Sequence, residues 1–261
     1  MATEPSISPF IELQSVDSTN NYARQLIHDK MAQHGTAIFS HEQIAGKGQR
    51  GKKWLTENKG NIAVSIIVKP GPIPLSAQFQ LSACAAISAQ TFFANYAGDD
   101  TSVKWPNDLY WQDRKAGGIL IESIIRSKEP ESNNRETGGS SWEWAIVGLG
   151  ININQTSFPA DIPNPVSLKQ ITGKTFEPVE LAKELVQLFL KNFDELNSTG
   201  FESTYSAYTN ALYKKGKVVK LRKENRVFEA TIQTVTPGGR LVVEHGISEE
   251  LEFGTVEWII G

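Results

Sequence analysis

The sequence has 261 residues, of which 39% are hydrophobic and 21% are charged, a composition typical of a globular protein with one large domain or two unequal ones. Its net charge of −3 argues against a general binder of polyanions. The single cysteine, Cys84, excludes an internal disulfide, and the four histidines show no metal-ligand spacing. The sequence shows no signal peptide and no apolar run long enough to span a bilayer, so we expect a reducing cytoplasm and no membrane partner.

The first motif is Ser18-Thr19-Asn20-Asn21, which supplies residue types that cap helices. The residues after it predict a helix, with Tyr22, Ala23, Leu26 and Ile27 on one face. Capping alone would explain Ser18 and Thr19. Residues 36–43 then predict a strand.

The stretch from Ala45 to Trp54 is basic and rich in glycine. Four of the eight residues from Gly46 to Lys53 are cationic and three are glycine. Glycines let backbone N–H groups approach an anion closely, and the cations supply charge, so the stretch favours an anionic ligand. It lacks the Gly-Lys-Ser/Thr end of a P-loop and does not open a helix as a dinucleotide fingerprint would. A solvated, flexible basic loop is the alternative, and Trp54 either covers an aromatic ligand or pins the loop to the core.

The chain then predicts a strand over residues 61–69, a core helix over residues 75–97 and a hairpin. The hairpin reads Lys-Trp-Pro-Asn-Asp-Leu-Tyr-Trp-Gln-Asp-Arg-Lys-Ala-Gly-Gly from Lys104 to Gly118. Its returning strand starts at Lys115. The paired glycines Gly117 and Gly118 weaken a strand that is otherwise β-branched. A ligand lying against the sheet below Lys115 would explain them, and so would a β-bulge beside a surface lysine.

The polar segment Lys128 to Ser141 predicts an excursion between strands. A central strand over residues 142–149 follows, closed by Gly148-Leu149-Gly150-Ile151-Asn152, where glycines and asparagine again suggest close approach of backbone to a ligand. Helices are expected over residues 168–172, ended by Gly173, over residues 178–197 and around residues 201–212.

After Lys214-Lys215-Gly216 the hydrophobic period changes from helical to two. Short strands are predicted over residues 217–221, 226–235, 241–244, 251–253 and 256–260, with a hairpin turn at Pro237-Gly238-Gly239. These residues are too few for a large core and fit a small β-barrel docked on the first domain. We therefore predict two domains, residues 1–213 and residues 214–261.

The basic glycine-rich loop, Lys-Trp-Pro-Asn-Asp, Lys-Ala-Gly-Gly-Ile-Leu and Gly-Leu-Gly-Ile-Asn occur in this order. Together they closely resemble the biotin protein ligases, also called biotin–[acetyl-CoA carboxylase] ligases, from about Ser15 to the C-terminus. The resemblance implies an α/β (α+β) fold: a class II aminoacyl-tRNA synthetase-like mixed sheet with helices, plus a small SH3-like β-barrel C-terminal domain. The form without an N-terminal DNA-binding domain is expected, because the Ser-Thr-Asn motif begins at residue 18. DNA is therefore not an expected partner.

The resemblance also implies the reaction. Family members condense biotin with ATP to biotinyl-5′-AMP and then transfer biotin to one lysine of a biotin carboxyl carrier protein, part of a biotin-dependent carboxylase. A carboxylate that attacks an α-phosphate brings two anions together, so cations are needed, and Mg²⁺ is expected beside the protein's lysines. A homodimer is compatible with the sequence.

The site residues are carried over position by position. The resemblance implies catalytic roles for Lys115, Lys47 and Arg50. Biotin-binding positions are Ser18, Thr19, Asn20, Gln43, Gly46, Lys47, Gly48, Gln49, Lys115, Gly117 and Gly118. Adenylate-binding positions are Trp54, Asn107, Asp108, Gly148, Gly150 and Asn152. The metal ligands stay unknown. This loop has Gln49 where the family more often has arginine, so either Gln49 or Arg50 takes the phosphate contact.

Two other functions remain open at the level of sequence. Lipoate or octanoyl protein ligases share the architecture, but a bare acyl pocket would not need Ser-Thr-Asn together with Gln43. A non-enzymatic interaction or nucleic-acid module is disfavoured by the acidic charge balance and the missing helix-turn-helix.

Overall fold

The computed structural model describes residues 8–54, 60–127, 140–160 and 162–259. Its larger part is built on a seven-stranded sheet with the order β1-β2-β3-β7-β6-β5-β4. The strands are β1 (Phe10–Leu13), β2 (Ala37–Ser40), β3 (Asn61–Val68), β4 (Thr101–Lys104), β5 (Asp108–Trp111), β6 (Arg114–Ser127) and β7 (Ser140–Asn152). β1 and β2 pair in parallel, whereas the other neighbours pair antiparallel. The predicted large mixed sheet is therefore confirmed.

Helices lie on both faces of this sheet. They are α1 (Thr19–His28), α2 (Gln78–Ala97), α3 (Leu168–Thr172), α4 (Pro178–Thr199) and α5 (Glu202–Asn210). Central strand β3 is buried along its whole length, and successive strand residues point to opposite faces. Ile66 packs in the main core with residues of α2 and α4, while Ile67 packs with Ala23 of α1 on the other face. The apolar character of β3 on both faces thus fixes a three-layer arrangement.

A five-stranded antiparallel sheet forms the C-terminal part, with the order β11-β10-β9-β8-β12. Its strands are β8 (Val218–Lys223), β9 (Arg226–Val235), β10 (Leu241–Glu244), β11 (Ser248–Leu251) and β12 (Glu257–Ile259). Trp105 Nε1 donates to the Gly239 carbonyl at 2.9 Å, and the Tyr205 hydroxyl donates to the Val235 carbonyl at 2.7 Å. The predicted α/β class with a small C-terminal β unit is confirmed, and these bonds join the two parts.

Several boundaries differ from the predictions. β7 continues to Asn152, so the Gly148–Asn152 motif lies inside the strand and does not close it. The helix after the Ser-Thr-Asn motif begins already at Thr19, and Ser18 makes no side-chain capping bond. β11 covers Ser248–Leu251 and overlaps the predicted residues 251–253 only at Leu251. The short strands β1 and β4 were not predicted from the sequence.

Other predicted elements agree with the structure. α3 is closed by Gly173 at φ 73° and carries a capping box between Ser167 and Gln170. α4 starts at Pro178, where proline is tolerated in the first turn. Of the predicted polar excursion from Lys128 to Ser141, residues 128–139 lie outside the described residues, and Ser140 and Ser141 already belong to β7. In the described part of the chain, none of the helices is both long and apolar enough to cross a membrane.

Candidate active site

The hairpin of β5 and β6 places a lysine side chain over the backbone of a glycine. Lys115 Nζ donates to Asp108 Oδ1 at 2.6 Å, and both side chains are less than one-third exposed. A methyl group placed on Gly118 would lie 3.7 Å from Lys115 Nζ and 3.5 Å from Asp108 Oδ1. The β5–β6 register also shifts between Leu109 and Tyr110. The β-bulge that the sequence offered as one explanation of the paired glycines is therefore present beside Lys115.

Three of the predicted site glycines make room for other protein groups. A methyl group would lie 2.7 Å from the Gly150 carbonyl if placed on Gly117, and 2.5 Å from Asn20 Oδ1 if placed on Gly148. On Gly150 it would lie 2.4 Å from Trp54 Cε2. Since these distances are far below van der Waals contact, the glycines are required by the protein's own packing.

The glycine-rich loop is a short hairpin. Trp54 N donates to the Gly46 carbonyl at 2.9 Å, and Gly48 N donates to the Lys52 carbonyl at 2.7 Å. Arg50 lies at the tip with φ 56°. A methyl group on Gly46 would lie 2.2 Å from the Trp54 carbonyl oxygen, so glycine is needed where the two sides of the hairpin close.

This hairpin covers a cavity above β6. The cavity has a volume of about 300 Å³ and is lined by Ala45, Gly46, Lys47, Gly48, Gly51, Lys52, Lys53, Leu120 and Glu122. A larger cavity of about 770 Å³ opens on the C-terminal sheet, and its lining includes none of the predicted site residues. The smaller cavity is the better candidate for substrate binding, because cations and glycine backbone surround it.

A polar cluster lies between α1, β3 and the end of β2. Gln43 Oε1 accepts from Thr19 N at 2.8 Å and lies 3.1 Å from Thr19 Oγ1. Ser65 Oγ lies 2.7 Å from Thr19 Oγ1 and 2.6 Å from Asn20 Oδ1. Asn20 Nδ2 donates to Glu122 Oε2 at 2.8 Å. The structure therefore brings together three residues that the sequence predicted and two, Ser65 and Glu122, that it did not.

The loop cations point in different directions. Lys47 Nζ donates to Asn21 Oδ1, at the start of α1. Gln49 Nε2 donates to the Ile119 carbonyl at 3.3 Å. Arg50 Nη1 donates to the Gly254 carbonyl at 3.0 Å, and Arg50 Cζ lies 6.0 Å from the centre of the Phe253 ring. Lys47 thus stays at the cavity, whereas Arg50 joins the loop to the C-terminal sheet and does not line the cavity.

The predicted adenylate-side residues contact the strands around the hairpin. The Trp54 indole lies against Gly150, and its buried Nε1 has no hydrogen-bond partner among the described residues. Asn107 Nδ2 donates to the Ile119 carbonyl at 2.7 Å. Asn152 Nδ2 donates to the Val166 carbonyl at 3.1 Å, with the Lys115 carbonyl at 3.4 Å. Ser18 is buried, and its carbonyl accepts from Tyr22 N at 3.0 Å.

A further lysine, Lys104, increases the positive charge near the β5–β6 hairpin. Burial lowers the pKa of Lys104 to about 8, an effect that Asp108 opposes and that Lys115 and Lys52 reinforce. Its ammonium lies 5.0 Å from the Tyr110 ring centre and 5.6 Å from that of Trp258. Lys115 and Lys52 are thus both close enough to Lys104 to affect its charge, and this concentration of lysines favours an anionic ligand here.

Among the described residues, no group of three or more His, Cys, Asp or Glu side chains could hold a metal ion. The residues present therefore do not form a metal site made by protein ligands alone.

Comparison with known proteins gives a consistent result. The profile of the Biotin/lipoate A/B protein ligase family matches residues 12–131. The chain is 27% identical over 232 residues to the bifunctional ligase/repressor BirA of Bacillus spizizenii, which covers 88% of this chain and 67% of that protein. It is 26% identical over 238 residues to the biotin–[acetyl-CoA-carboxylase] ligase of Paracoccus denitrificans, which covers 88% of this chain and 92% of that protein.

A solved structure supports the fold. The biotin protein ligase from Aquifex aeolicus in complex with biotin and ATP superposes with a TM-score of 0.76 at 24% identity. The match covers 98% of this chain and 100% of that chain, so it includes both sheets.

Proposed function

Since residues 12–131 match the profile of the Biotin/lipoate A/B protein ligase family, we propose that the chain is an ATP-dependent biotin protein ligase. In the first step the biotin carboxylate attacks the α-phosphate of ATP, pyrophosphate leaves, and biotinyl-5′-AMP forms. In the second step a lysine amine of a biotin carboxyl carrier protein attacks the acyl carbon, and AMP leaves. Lipoate or octanoate ligation is not favoured, because the relative from Paracoccus denitrificans is a biotin–[acetyl-CoA-carboxylase] ligase and the structure from Aquifex aeolicus is a biotin protein ligase.

One observation carries this proposal. The cationic glycine-rich hairpin and strand β6 enclose the same cavity, and the cluster of Thr19, Asn20 and Gln43 joins that cavity through Glu122. Hydroxyl and amide groups suit the donors and acceptors of a ureido ring, and cations suit a carboxylate and a phosphate. Both ends of a biotinyl adenylate therefore find complementary groups within one region of the sheet.

We assign the residues as follows. The biotin-binding set is Ser18, Thr19, Asn20, Gln43, Gly46, Lys47, Gly48, Gln49, Lys115, Gly117 and Gly118. The adenylate-binding set is Trp54, Asn107, Asp108, Gly148, Gly150 and Asn152. Gly117, Gly148 and Gly150 act indirectly, since each makes room for a protein group.

The proposed reaction depends on positive charge and on the exclusion of water more than on a protein nucleophile. Lys115 and Lys47 would neutralise the carboxylate and the α-phosphate as they meet, which stabilises the transition state. The adenylate is itself the activated species, so no protein side chain has to form a covalent bond. Because water would destroy it, the hairpin from Ala45 to Trp54 would close over it. Of the two phosphate candidates in the loop, Arg50 would first have to leave Gly254.

Mg²⁺ is proposed to enter with the triphosphate, since the described residues offer no protein metal site. We place the reaction in the cytoplasm, where ATP is available. The net charge of −3 leads us to propose that the chain has no DNA operator, which a gel shift at physiological ionic strength would check. We also propose residues 1–213 as the catalytic unit and 214–261 as a docked C-terminal domain.

The test is direct. Purified protein is incubated with ATP, Mg²⁺ and biotin, and pyrophosphate release is measured. Release should depend on biotin, and mass spectrometry should detect biotinyl-5′-AMP. Adding a biotin carboxyl carrier domain should then consume the adenylate and increase the mass of the carrier by one biotinyl group. Equal pyrophosphate release with lipoate in place of biotin would contradict the proposed specificity.

A further inference from the structure

Glu122 stands between the cavity and the polar cluster. It lines the cavity, and its carboxylate accepts from Asn20 Nδ2 at 2.8 Å and from Arg24 Nη2 at 2.7 Å. The adenylation chemistry proposed above makes no use of this carboxylate. A negative charge beside a pocket for two anions opposes their binding, so its position needs a different explanation.

The direction of each hydrogen bond in the cluster follows from Glu122. An ionised carboxylate only accepts, so the NH₂ group of Asn20 must face it and Asn20 Oδ1 must face Ser65. An amide oxygen also only accepts, so the Ser65 hydroxyl donates across the 2.6 Å contact. Ser65 has then used its one proton.

The same reasoning continues to Thr19. Its hydroxyl oxygen lies 2.7 Å from Ser65 Oγ, a contact that needs a proton between the two oxygens. Since Ser65 donates to Asn20, Thr19 must supply that proton. Gln43 Oε1, at 3.1 Å, is the more distant acceptor and is already bonded to Thr19 N at 2.8 Å. Thr19 Oγ1 is therefore left with lone pairs and no proton for a ligand.

We propose that Glu122 is a positioning residue that sets the direction of the Asn20–Ser65–Thr19 relay and thereby the specificity for the substrate ring. The relay presents Thr19 Oγ1 as an acceptor. Within the described part of the chain, Glu122 accepts a hydrogen bond from one of the two N–H groups of Asn20 Nδ2, and the other N–H group stays available as a donor. An acceptor beside a donor complements a group with N–H next to C=O. A ureido ring has that group, whereas a ring of carbon and sulfur does not.

Arg24 explains how a carboxylate is tolerated at this position. Its guanidinium pairs with Glu122 Oε1, while its own side chain is 47% exposed. An exposed pair of this kind contributes little to stability, but it offsets the negative charge that the pocket would otherwise feel. Because Arg24 touches only the far oxygen of Glu122, it can be removed without changing the direction of the relay.

The inference rests on the proposed function, and steady-state kinetics of biotin-dependent adenylate formation test it. In Glu122→Gln one amide oxygen must serve both Asn20 and Arg24, so Asn20 is no longer held in one orientation. We expect the KM for biotin to rise roughly 10- to 100-fold, the scale of one hydrogen bond to a charged group, with kcat and the KM for ATP within about threefold of wild type. Ser65→Ala, which breaks the relay without adding volume, should give the same pattern.

Two controls make the result specific. Arg24→Gln removes the ion pair and keeps the relay, so its KM for biotin should stay within about threefold of wild type. The double variant Glu122→Gln/Ser65→Ala should be no worse than the more damaging single variant, because both changes break one chain of bonds. Thermal unfolding confirms that each variant is folded.

The outcomes separate the two proposals. If wild-type protein forms no adenylate with biotin, the proposed function is wrong. If wild type is active and Glu122→Gln leaves the KM for biotin unchanged, or lowers kcat without raising that KM, the relay is wrong and the proposed function stands. The same holds if the effects of Glu122→Gln and Ser65→Ala on the KM for biotin add independently in the double variant.

Discussion

Lys115 Nζ lies 2.6 Å from Asp108 Oδ1, and the pair lies over Gly118. The two residues face each other across the β5–β6 hairpin, so the ammonium is held in one place before a substrate arrives. A phosphate or carboxylate that binds there must share this ammonium with Asp108. Lys115 is thus positioned by a counter-charge that an incoming anion can replace, and this relationship makes it the first residue to test.

Lys115→Ala should fold and still bind biotin weakly, but its adenylation rate should fall by roughly 10²- to 10³-fold, the scale for removing one preorganised charge-stabilising group. An interaction that strengthens in the transition state lowers kcat, whereas ground-state binding alone affects KM. Lys115→Arg should recover part of the rate, because a planar guanidinium does not reproduce a compact ammonium. Single-turnover formation of biotinyl-5′-AMP measures the effect.

The matched control is Lys220→Ala, which removes an exposed strand lysine of the C-terminal sheet. It should leave the rate unchanged. If Lys115→Ala forms the adenylate within a few-fold of wild type, Lys115 is an ordinary strand lysine and has no part in the chemistry.

The sequence predicts the long elements well and the side-chain partners poorly. α4 carries strong apolar periodicity and α2 is apolar along most of its length, and the bounds of both agree within a few residues. Four-residue strands such as β1 lack a comparable signal, because their pairing with distant partners defines them. Ser65 does leave a signal, since it is a polar residue inside a strand of apolar ones. The role of Gly148 has no such signal, because only folding brings Asn20 against it.

Gly150→Ala should impair nucleotide binding by displacing Trp54. The added methyl group would lie 2.4 Å from Trp54 Cε2, so the indole has to move. Trp54→Ala should have a similar effect, since base–aromatic stacking contributes on the order of 1–3 kcal/mol. Both variants should raise the KM for ATP more than that for biotin.

Gly238→Ala is the steric control for this prediction, because the atom nearest to its added methyl group is 3.8 Å away. It should leave both KM values unchanged. A larger rise for biotin than for ATP in Gly150→Ala would place the indole at the biotin end of the pocket and overturn the assignment.

Arg50→Ala should loosen the glycine-rich hairpin. Arg50 donates to the Gly254 carbonyl at 3.0 Å and lies over the Phe253 ring, so its loss frees the tip of the loop from the C-terminal sheet. Protease cleavage between residues 45 and 54 should become a few-fold faster, on the scale of about 1 kcal/mol for one hydrogen bond. Biotin with ATP should slow cleavage in wild type and variant alike, if the loop closes over the adenylate. Unchanged cleavage with demonstrated ligand binding would contradict closure.

Loss of the proton from Lys104 should raise the free energy of unfolding as the pH increases. Burial lowers its pKa in the folded state to about 8, from an ordinary value of 10.5. Between these two values the unfolded chain binds more protons than the folded one, so the free energy of unfolding rises with pH in that window. Below about pH 8 the ammonium is charged in both the folded and the unfolded chain, so its burial lowers the free energy of unfolding by a constant amount.

Lys104→Met tests this argument, because it keeps an apolar stem between the Tyr110 and Trp258 rings and removes the charge. At pH 7 it should raise the free energy of unfolding by on the order of 1–3 kcal/mol, since one pKa unit corresponds to about 1.4 kcal/mol and the ring contacts offset part of the burial cost. At pH 9.5 its advantage over wild type should shrink. Urea unfolding at both pH values measures the difference, with the exposed Lys220→Met as control. Equal stability of Lys104→Met and wild type at pH 7 would show that the fold does not desolvate this ammonium.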